Sequence, residues 1–228
     1  MFRDALLTLA YPQACEICAS SVEERRFGVA CESCWKGTRI FAAEEEICWK
    51  CGSPGPPCGR CEPLAFTTAR AVGLYKGALR ESVLMLKRRA HLPRHVENLL
   101  ITAAMREPFL GSTRVMPVPL HPKRLRVRGF NQASVLANAL SKGLRLPLDE
   151  VSLVRVAESE KYRAGLDVKG RRDTVAEAFK VVHPRLVAGE DVLLVDDVFT
   201  TGATVSACAE VLIAAGARNV FVLTLARA

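Results

Sequence analysis

Two adjacent carboxylates followed by a hydroxyl-rich loop are the clearest chemical signal in the sequence. The apolar run 192–195 is typical of a buried strand, and Asp196 and Asp197 follow it directly. The next residues favour a loop that opens a helix, where unpaired backbone N–H groups and the positive end of the helix dipole attract anions. The predicted phosphate-binding residues are Thr200, Thr201, Gly202, Ala203 and Thr204.

Each residue type in this run suits one part of a ribose 5-phosphate. Gly202 lets the backbone approach a ligand closely, and the threonine hydroxyls add hydrogen-bond donors for phosphate oxygens. Asp196 and Asp197 stand where carboxylates could accept hydrogen bonds from the vicinal hydroxyls of a sugar. The plainer alternative is an Asp-capped loop that binds no ligand.

Eight of the nine cysteines form four Cys-x2-Cys pairs within the first 61 residues. Each pair brings two thiolates toward one point, so two pairs complete a tetrahedron around Zn²⁺. Eight ligands predict two closed structural sites, and consecutive pairing of neighbouring pairs is simpler than a cross-braced arrangement. An iron–sulfur cluster and redox-active thiols are the alternatives. The predicted ligands are Cys15, Cys18, Cys31, Cys34, Cys48, Cys51, Cys58 and Cys61.

Four other residues fit plainer structural roles. Trp35 and Trp49 each follow a cysteine and are expected to pack beneath the zinc sites. Cys208 lies on the small-residue face of a predicted helix, which indicates a packed core thiol. His95 belongs to no metal-binding pattern, and we expect an ordinary surface residue.

Positive charge is concentrated in the middle third of the chain. Residues 1–69 carry a net charge of −2, residues 70–145 carry +12 and residues 146–228 carry −2. A solvated basic face is the plain interpretation, and a surface for phosphates or single-stranded DNA is the sharper one. Each zinc–tetrathiolate centre has a formal charge of −2, so the zinc-binding segment favours a structural role or docking of a protein partner over phosphate binding.

The sequence gives no sign of a membrane span. No apolar run approaches the roughly 18 residues that such a helix needs. The short apolar stretch 5–10 follows Asp4 rather than a basic segment, unlike a signal peptide. We therefore expect a cytoplasmic protein, in which a disulfide framework would be out of place.

The elements that position these groups divide at Pro63, which predicts a double zinc module over 1–62 and an α/β domain over 63–228. Strand candidates are Ala71–Tyr75, Val115–Val118, Val151–Val156, Phe179–Val182, Val192–Val195 and Val220–Leu225. Helix candidates are Ala78–Arg89, Arg94–Arg106, Gln132–Gly143 and Val205–Ala215. Alternating helices and apolar strands predict a mainly parallel sheet. Lys161–Thr174 fits neither pattern and is interpreted as a long loop running into a short helix.

The run 192–204 resembles the phosphoribosyl pyrophosphate (PRPP) signature of type I phosphoribosyltransferases. More widely, the chain resembles the ComF family, found among DNA-uptake (competence) factors and their relatives. The resemblance covers nearly all 228 residues and begins with the zinc module. It departs at Lys161-Tyr162-Arg163 and Thr174, where members often have Gln and Asn. The further matching residues are Tyr75-x-Gly77, Leu86-Lys87, Val118-Pro119-Leu120-His121, Arg128-Gly129-Phe130-Asn131-Gln132, Gly165-Leu166, Arg172, Val175 and Ala178-Phe179.

The resemblance implies a type I phosphoribosyltransferase-like α/β fold, with a mainly parallel sheet flanked by helices and a small N-terminal double zinc-binding module. It also implies PRPP bound with Mg²⁺, and a pyrophosphate-binding loop after the strand 115–118. Pro119, Leu120 and Arg128 belong to that loop, and nearby cations would help to neutralise pyrophosphate. Lys161 and Arg163 fall in the segment that resembles the loop closing over PRPP.

Two functional hypotheses follow. In the first, Asp196 and Asp197 are catalytic residues of an enzyme that transfers the phosphoribosyl group from PRPP to an unidentified acceptor and releases pyrophosphate. In the second, the chain is a DNA-uptake accessory protein that binds single-stranded DNA or a helicase partner through segment 70–145, and its PRPP site is regulatory or vestigial.

Overall fold

A parallel sheet of four strands forms the centre of the fold. The computed structural model describes residues 12–156 and 178–228. Within them the sheet consists of β1 (Thr68–Leu74), β2 (Arg114–Pro117), β5 (Asp191–Phe199) and β6 (Asn219–Arg227). The strand order is β1-β6-β5-β2, and all three pairings are parallel. Strands β3 (Leu153–Arg155) and β4 (Phe179–Val181) form a separate antiparallel pair.

The described ranges contain six α-helices. They are α1 (Glu32–Lys36), α2 (Gly77–Leu86), α3 (Arg94–Ala104), α4 (Pro122–Arg128), α5 (Gln132–Leu144) and α6 (Ala203–Ala214). Helices α2, α3 and α5 contribute to a core on one face of the sheet, and α6 contributes to the core on the other face. The predicted fold class, a mainly parallel sheet flanked by helices, is confirmed.

Strand β5 supplies both cores because successive side chains of a strand point to opposite faces. Leu193 and Val195 lie in the core with α2, α3 and α5. Val192 and Leu194 lie in the core with α6, beside Cys208. All four side chains and Cys208 are fully buried, which confirms the prediction of a core thiol and explains why the strand sequence is continuously apolar.

The cysteine-rich residues pack into these same two cores. Cys15 and Cys31 belong to the core that contains α2 and α3, whereas Cys48 and Cys51 belong to the core that contains α6. Backbone hydrogen bonds also join residues 39–41 to β1, with Phe41 N donating to Val72 O at 2.9 Å. The division of the chain at Pro63 stays a prediction.

Every predicted strand and helix has a counterpart, but two features differ. Strand β5 extends beyond Val195 through both aspartates to Phe199 because it pairs with β6 along that whole length. The stretch interpreted as the pyrophosphate-binding loop contains helix α4. Pro122 occupies its first turn, and the Nδ1 atom of His121 accepts a hydrogen bond from Lys123 N at 3.2 Å. The predicted loop Lys161–Thr174 lies outside the described residues.

The predictions for two aromatic side chains were wrong. Trp49 is 62 % exposed rather than packed beneath a zinc site. His95 is half-buried, and its ring lies 4.5 Å from that of Trp35 and 5.2 Å from that of Phe27, centroid to centroid. Trp35 itself is buried as predicted and donates to Phe27 O at 3.0 Å.

None of the helices in residues 12–156 and 178–228 combines the length and the apolar character that crossing a bilayer requires.

Candidate phosphate site and cysteine clusters

The carboxyl ends of β2 and β5 meet at one edge of the sheet. Pro117 is the register partner of Val195, and Val118 N donates to Val195 O at 2.8 Å. Pro119 and Leu120 therefore follow β2 at the edge where Asp196 and Asp197 lie. Loops at the carboxyl ends of parallel strands are the usual ligand site of such sheets.

The start of α5 is tied to the same edge. Asn131 caps this helix by accepting from Ala133 N, and its side-chain amide donates to Val118 O at 3.0 Å. Arg128 donates to the Oε1 atom of Gln132 in the first turn of α5. This contact holds Arg128 close to the segment after β2, as the predicted pyrophosphate loop requires.

The two aspartates have different surroundings. Asp197 is 7 % exposed, and its Oδ2 atom lies 3.3 Å from Lys87 Nζ at the end of α2. The Oδ1 atom of Asp196 accepts a hydrogen bond from Asp197 N at 2.8 Å. Burial, followed by the negative charge of Asp197, raises the pKa of Asp196 to about 8. The carboxyl group of Asp196 therefore keeps its proton to a higher pH than an ordinary aspartate, because its pKa is raised.

The loop after β5 turns at Gly202, which has a φ of 80° and is the N-cap of α6. A Cβ atom at this position would lie 2.7 Å from Phe199 Cζ and 2.9 Å from Leu64 Cδ1. Only glycine meets both requirements without displacing its neighbours. Thr200 and Thr201 are exposed on this loop, and Thr201 Oγ1 accepts from Ala203 N at 3.4 Å.

A cavity of about 420 Å³ lies beside Thr200 and Thr201. One wall belongs to the loop 200–204, which we call the phosphate loop after its predicted ligand, and another to the cysteine-rich segment. Its lining residues are Cys51, Ser53, Cys58, Arg60, Cys61, Leu64, Phe199, Thr200, Thr201, Arg227 and Ala228.

The eight N-terminal cysteines form two groups in which all four Sγ atoms lie within 4.8 Å of one another. We call them cluster I and cluster II. Their arrangement follows the order of the chain, as consecutive pairing predicts. Cluster I contains Cys15, Cys18, Cys31 and Cys34, and cluster II contains Cys48, Cys51, Cys58 and Cys61.

The spacing of the sulfur atoms fits a metal ion. Cys18 and Cys31 have their Sγ atoms 3.6 Å apart, and the Cys48–Cys61 and Cys51–Cys58 pairs have the same separation. A zinc ion with Zn–S bonds of about 2.3 Å places its sulfurs about 3.8 Å apart, whereas a disulfide bond is only about 2.05 Å long. All nine cysteines are free thiols, so both donor sets suit structural zinc.

The thiolate is the form that binds a metal. Hydrogen bonds from the side chain and backbone of Ser20 lower the pKa of Cys18 to about 6. These hydrogen bonds favour the thiolate form of Cys18, the exposed member of cluster I.

Comparisons with known proteins identify the family to which the chain belongs. The phosphoribosyl transferase domain family matches residues 130–228. The DNA utilization protein YhgH of Shigella flexneri is 30 % identical over 231 residues, which span 96 % of this chain and 99 % of that protein. The chain belongs to the ComF family. Competence protein ComFC of Bacillus subtilis is 24 % identical over 225 residues, which span 85 % of this chain and 89 % of the relative.

A solved structure with a similar fold is that of glutamine PRPP amidotransferase from B. subtilis complexed with ADP and GMP. The TM-score is 0.41 at 18 % sequence identity, and the match covers 61 % of this chain and 26 % of that chain.

Most of the predicted site residues of this ComF-family chain lie at one sheet edge, where β2 and β5 end. Lys161 and Arg163 lie outside the described residues. The residues that the structure places at or next to that edge are Pro119, Leu120, Arg128, Asp196, Asp197, Thr200, Thr201, Gly202, Ala203 and Thr204.

Sequence reasoning missed three residues of the site. Lys87 was assigned to a basic surface, although it contacts Asp197. Arg60 and Arg227 line the cavity beside the loop but were given no role. All three come from segments distant in sequence from the aspartates, so no local spacing could identify them.

Proposed function

We propose that this chain binds PRPP with Mg²⁺ where β2 and β5 end. The observation that carries the proposal is the meeting of three groups at one edge: the segment Pro119–Leu120, the pair Asp196 and Asp197, and the loop that opens α6. The chemistry of these three groups suits the pyrophosphate, ribose and 5-phosphate parts of a single ligand.

In this proposal the loop 200–204 binds the 5-phosphate through backbone N–H groups and threonine hydroxyls. Asp196 and Asp197 accept hydrogen bonds from the ribose hydroxyls, and Pro119, Leu120 and Arg128 bind the pyrophosphate. Mg²⁺ would neutralise part of the pyrophosphate charge and favour its departure. Roles for Lys161 and Arg163 over the leaving group stay a prediction from the sequence.

Phosphoribosyl transfer is the reaction that such binding serves. The bond between C1 of the ribose and the pyrophosphate oxygen breaks, and its electron pair leaves with pyrophosphate. The acceptor supplies the electron pair for the new bond to C1. No described residue of the site identifies the acceptor. The proposal therefore specifies the donor substrate, PRPP, and the reaction class, phosphoribosyl transfer.

Calorimetric titration of PRPP with Mg²⁺ into the zinc-loaded protein tests the proposal. We expect micromolar binding by the wild type and its loss in the Asp196→Asn/Asp197→Asn double variant. Asp191→Asn is the matched control, because Asp191 begins the same strand at the opposite edge of the sheet and pairs with Arg218. No binding by folded wild type would overturn the proposal.

A second candidate function is handling of single-stranded DNA, which the names of the relatives favour: DNA utilization protein and competence protein. The basic segment 70–145 divides in the structure. Two of its cations form ion pairs: Lys87 with Asp197, and Arg80 with Glu81. The remaining exposed cations on α4 and beside α2 and α3 offer a surface for phosphates, and they include Arg88, Arg89, Arg94, Lys123, Arg124 and Arg126.

The DNA candidate is tested by titration with a single-stranded oligonucleotide at several salt concentrations. We expect affinity to fall steeply with salt because bound phosphates release counterions. Arg124→Ser/Arg126→Ser should weaken oligonucleotide binding and leave PRPP binding intact. If excess PRPP displaces the oligonucleotide, both ligands use one site, and a separate DNA surface is wrong. A protein partner for the cysteine-rich segment stays a prediction from the sequence.

A further inference from the structure

Arg227 links cluster II to the strand that leads into the phosphate loop. It is the last residue of β6, and its Nη1 atom donates to Cys51 O at 2.7 Å. Its Nη2 atom lies 3.7 Å from the Sγ atom of Cys51. The same guanidinium lies 4.7 Å from the centroid of the Phe199 ring. One side chain therefore contacts both a cluster ligand and the residue before Thr200.

A second set of contacts reaches the loop from its other side. Leu64 N donates to Cys61 O at 3.0 Å, and the Leu64 side chain occupies the space next to Gly202. Ala65 N then donates to the Oγ atom of Ser206 at 3.0 Å in the first turn of α6. Cluster II is thus connected to the beginning of the phosphate loop through Arg227 and to its end through Leu64 and Ala65.

Cluster I has no such relation to the loop in the described residues. Its members Cys15 and Cys31 belong to the core on the opposite face of the sheet, with Trp35 beside them. Three ligands of cluster II line the 420 Å³ cavity together with Thr200 and Thr201, and no cluster I cysteine does. Of the two chemically similar clusters, cluster II is therefore the one placed to influence the loop 200–204.

We infer that Arg227 is a positioning residue that couples metal binding at cluster II to phosphate binding at the loop 200–204. This inference rests on the proposed function. A bound metal fixes the backbone of Cys51, which anchors Arg227, and Arg227 holds Phe199 against Gly202. Without that anchor, ligand binding must itself order the loop 200–204, and this cost in free energy lowers the affinity. The coupling is reciprocal, so the ligand must also strengthen metal retention at cluster II.

The reciprocal effect can be measured on the wild type as the rate of zinc transfer to a colorimetric chelator. Each cluster has a ligand that solvent reaches, the exposed Cys18 and the half-buried Cys58, so a chelator can attack either one locally. We expect PRPP with Mg²⁺ to slow zinc release from cluster II about tenfold and to leave cluster I unchanged.

The two tryptophans identify which cluster releases its metal. Trp49 lies between Cys48 and Cys51 of cluster II, and Trp35 follows Cys34 of cluster I. Trp35→Phe and Trp49→Phe each leave one fluorescent reporter. A ligand that protects both clusters equally, or that binds and protects neither, would overturn the inference.

The role of Arg227 is tested by Arg227→Met, with Arg218→Met as the matched control at the opposite end of β6. We expect Arg227→Met to retain two zinc ions and its circular dichroism, to bind PRPP about tenfold more weakly and to lose the ligand effect on zinc release. Arg227→Lys should recover part of both. Unchanged PRPP affinity and an unchanged ligand effect on zinc release in Arg227→Met would show that Arg227 does not couple cluster II to the phosphate loop.

Failure of the proposed function is distinguishable from failure of this inference. If calorimetry detects no PRPP binding by the wild type, the proposed function is wrong. Ribose 5-phosphate is then the probe in the zinc-release assay, because it needs only the phosphate loop. Slower release from cluster II with this probe supports the coupling, and no change with either ligand refutes it.

Discussion

The Nζ atom of Lys87 lies 3.3 Å from the Oδ2 atom of Asp197, so the end of α2 supplies a cation to the carboxylate pair of β5. Asp196 belongs to the same pair, but its carboxylate charge is opposed by burial and by Asp197. The contact makes two adjacent, chemically identical residues unequal. This asymmetry leads to the first three predictions.

Replacing Lys87 with methionine should lower the free energy of unfolding by about 1 kcal/mol, because the nearly buried Asp197 loses its cation. The expected loss is small for a buried carboxylate because Lys87 is itself about a third exposed. Denaturant unfolding measures it. Arg88→Met is the control, since Arg88 is the exposed neighbour of Lys87, and an equal loss in both variants would contradict the role of the ion pair.

The affinity for PRPP with Mg²⁺ should rise about tenfold or more between pH 6.5 and pH 8.5. Sugar hydroxyls and Mg²⁺ favour the ionised carboxylate, and the pKa of Asp196 is about 8. Calorimetry at several pH values measures the change, and binding should release a proton to the buffer. A pH-independent affinity in the wild type would contradict it, and Asp196→Asn should show a flat profile at lower affinity.

Stability should follow the opposite direction with pH. The raised pKa means that folded Asp196 keeps a proton which the unfolded chain loses near its ordinary pKa of 3.8. This contribution to stability is fully present below that pH and is lost as pH rises through about 8. Thermal unfolding of the wild type and of Asp196→Asn between pH 5 and pH 9 tests this, with a smaller decline expected in the variant.

Gly202→Ala should abolish phosphate binding and destabilise the chain by more than a positive φ alone explains. The conformational penalty for alanine is about 1–2 kcal/mol, and the close contacts with Phe199 and Leu64 add to it. Gly189→Ala isolates the first effect, because Gly189 has a φ of 77° and nothing within 4 Å of the added atom. Equal unfolding free energies for the two variants would rule out the steric effect.

Complete removal of zinc should unfold the whole chain in one transition. Cluster I and cluster II each contribute to one of the two cores of the sheet. Structural zinc binding is worth about 10–16 kcal/mol, which matches or exceeds the whole stability of a typical domain. Far-ultraviolet circular dichroism after chelation measures the loss. Retention of the sheet signal would instead support a separable module over residues 1–62.

The strands and the site loop were predictable because their signals are local. Val192–Val195 is apolar on both faces, and the glycine in 200–204 marks the turn that opens α6. The parallel arrangement then follows from alternating helices and strands. The pairing of β2 with β5, which brings the segment after Pro117 to the same edge as Asp196, does not follow from local signals, because β3 and β4 lie between the two strands in the sequence.

The rest depends on contacts between distant segments. Nothing near Lys87 in the sequence indicates that it contacts Asp197, and nothing near Arg227 indicates Cys51. Helix α4 was missed because its cations were interpreted only as phosphate ligands, although Pro122 at its first turn and Gly129 at its end are helix signals. The burial of His95 depends on the packing of α3 against Phe27 and Trp35 of the cysteine-rich segment, which no local signal indicates.

The most direct test of the central claim is to follow the backbone amide resonances by NMR while PRPP and Mg²⁺ are added to the zinc-loaded protein. We expect the largest shifts at residues 200–204, with smaller ones at Asp196 and Asp197 and none at the ligands of cluster I. Saturating PRPP that leaves 200–204 unshifted, or that shifts only the cations of α4, would contradict a sugar-phosphate site at the end of β5.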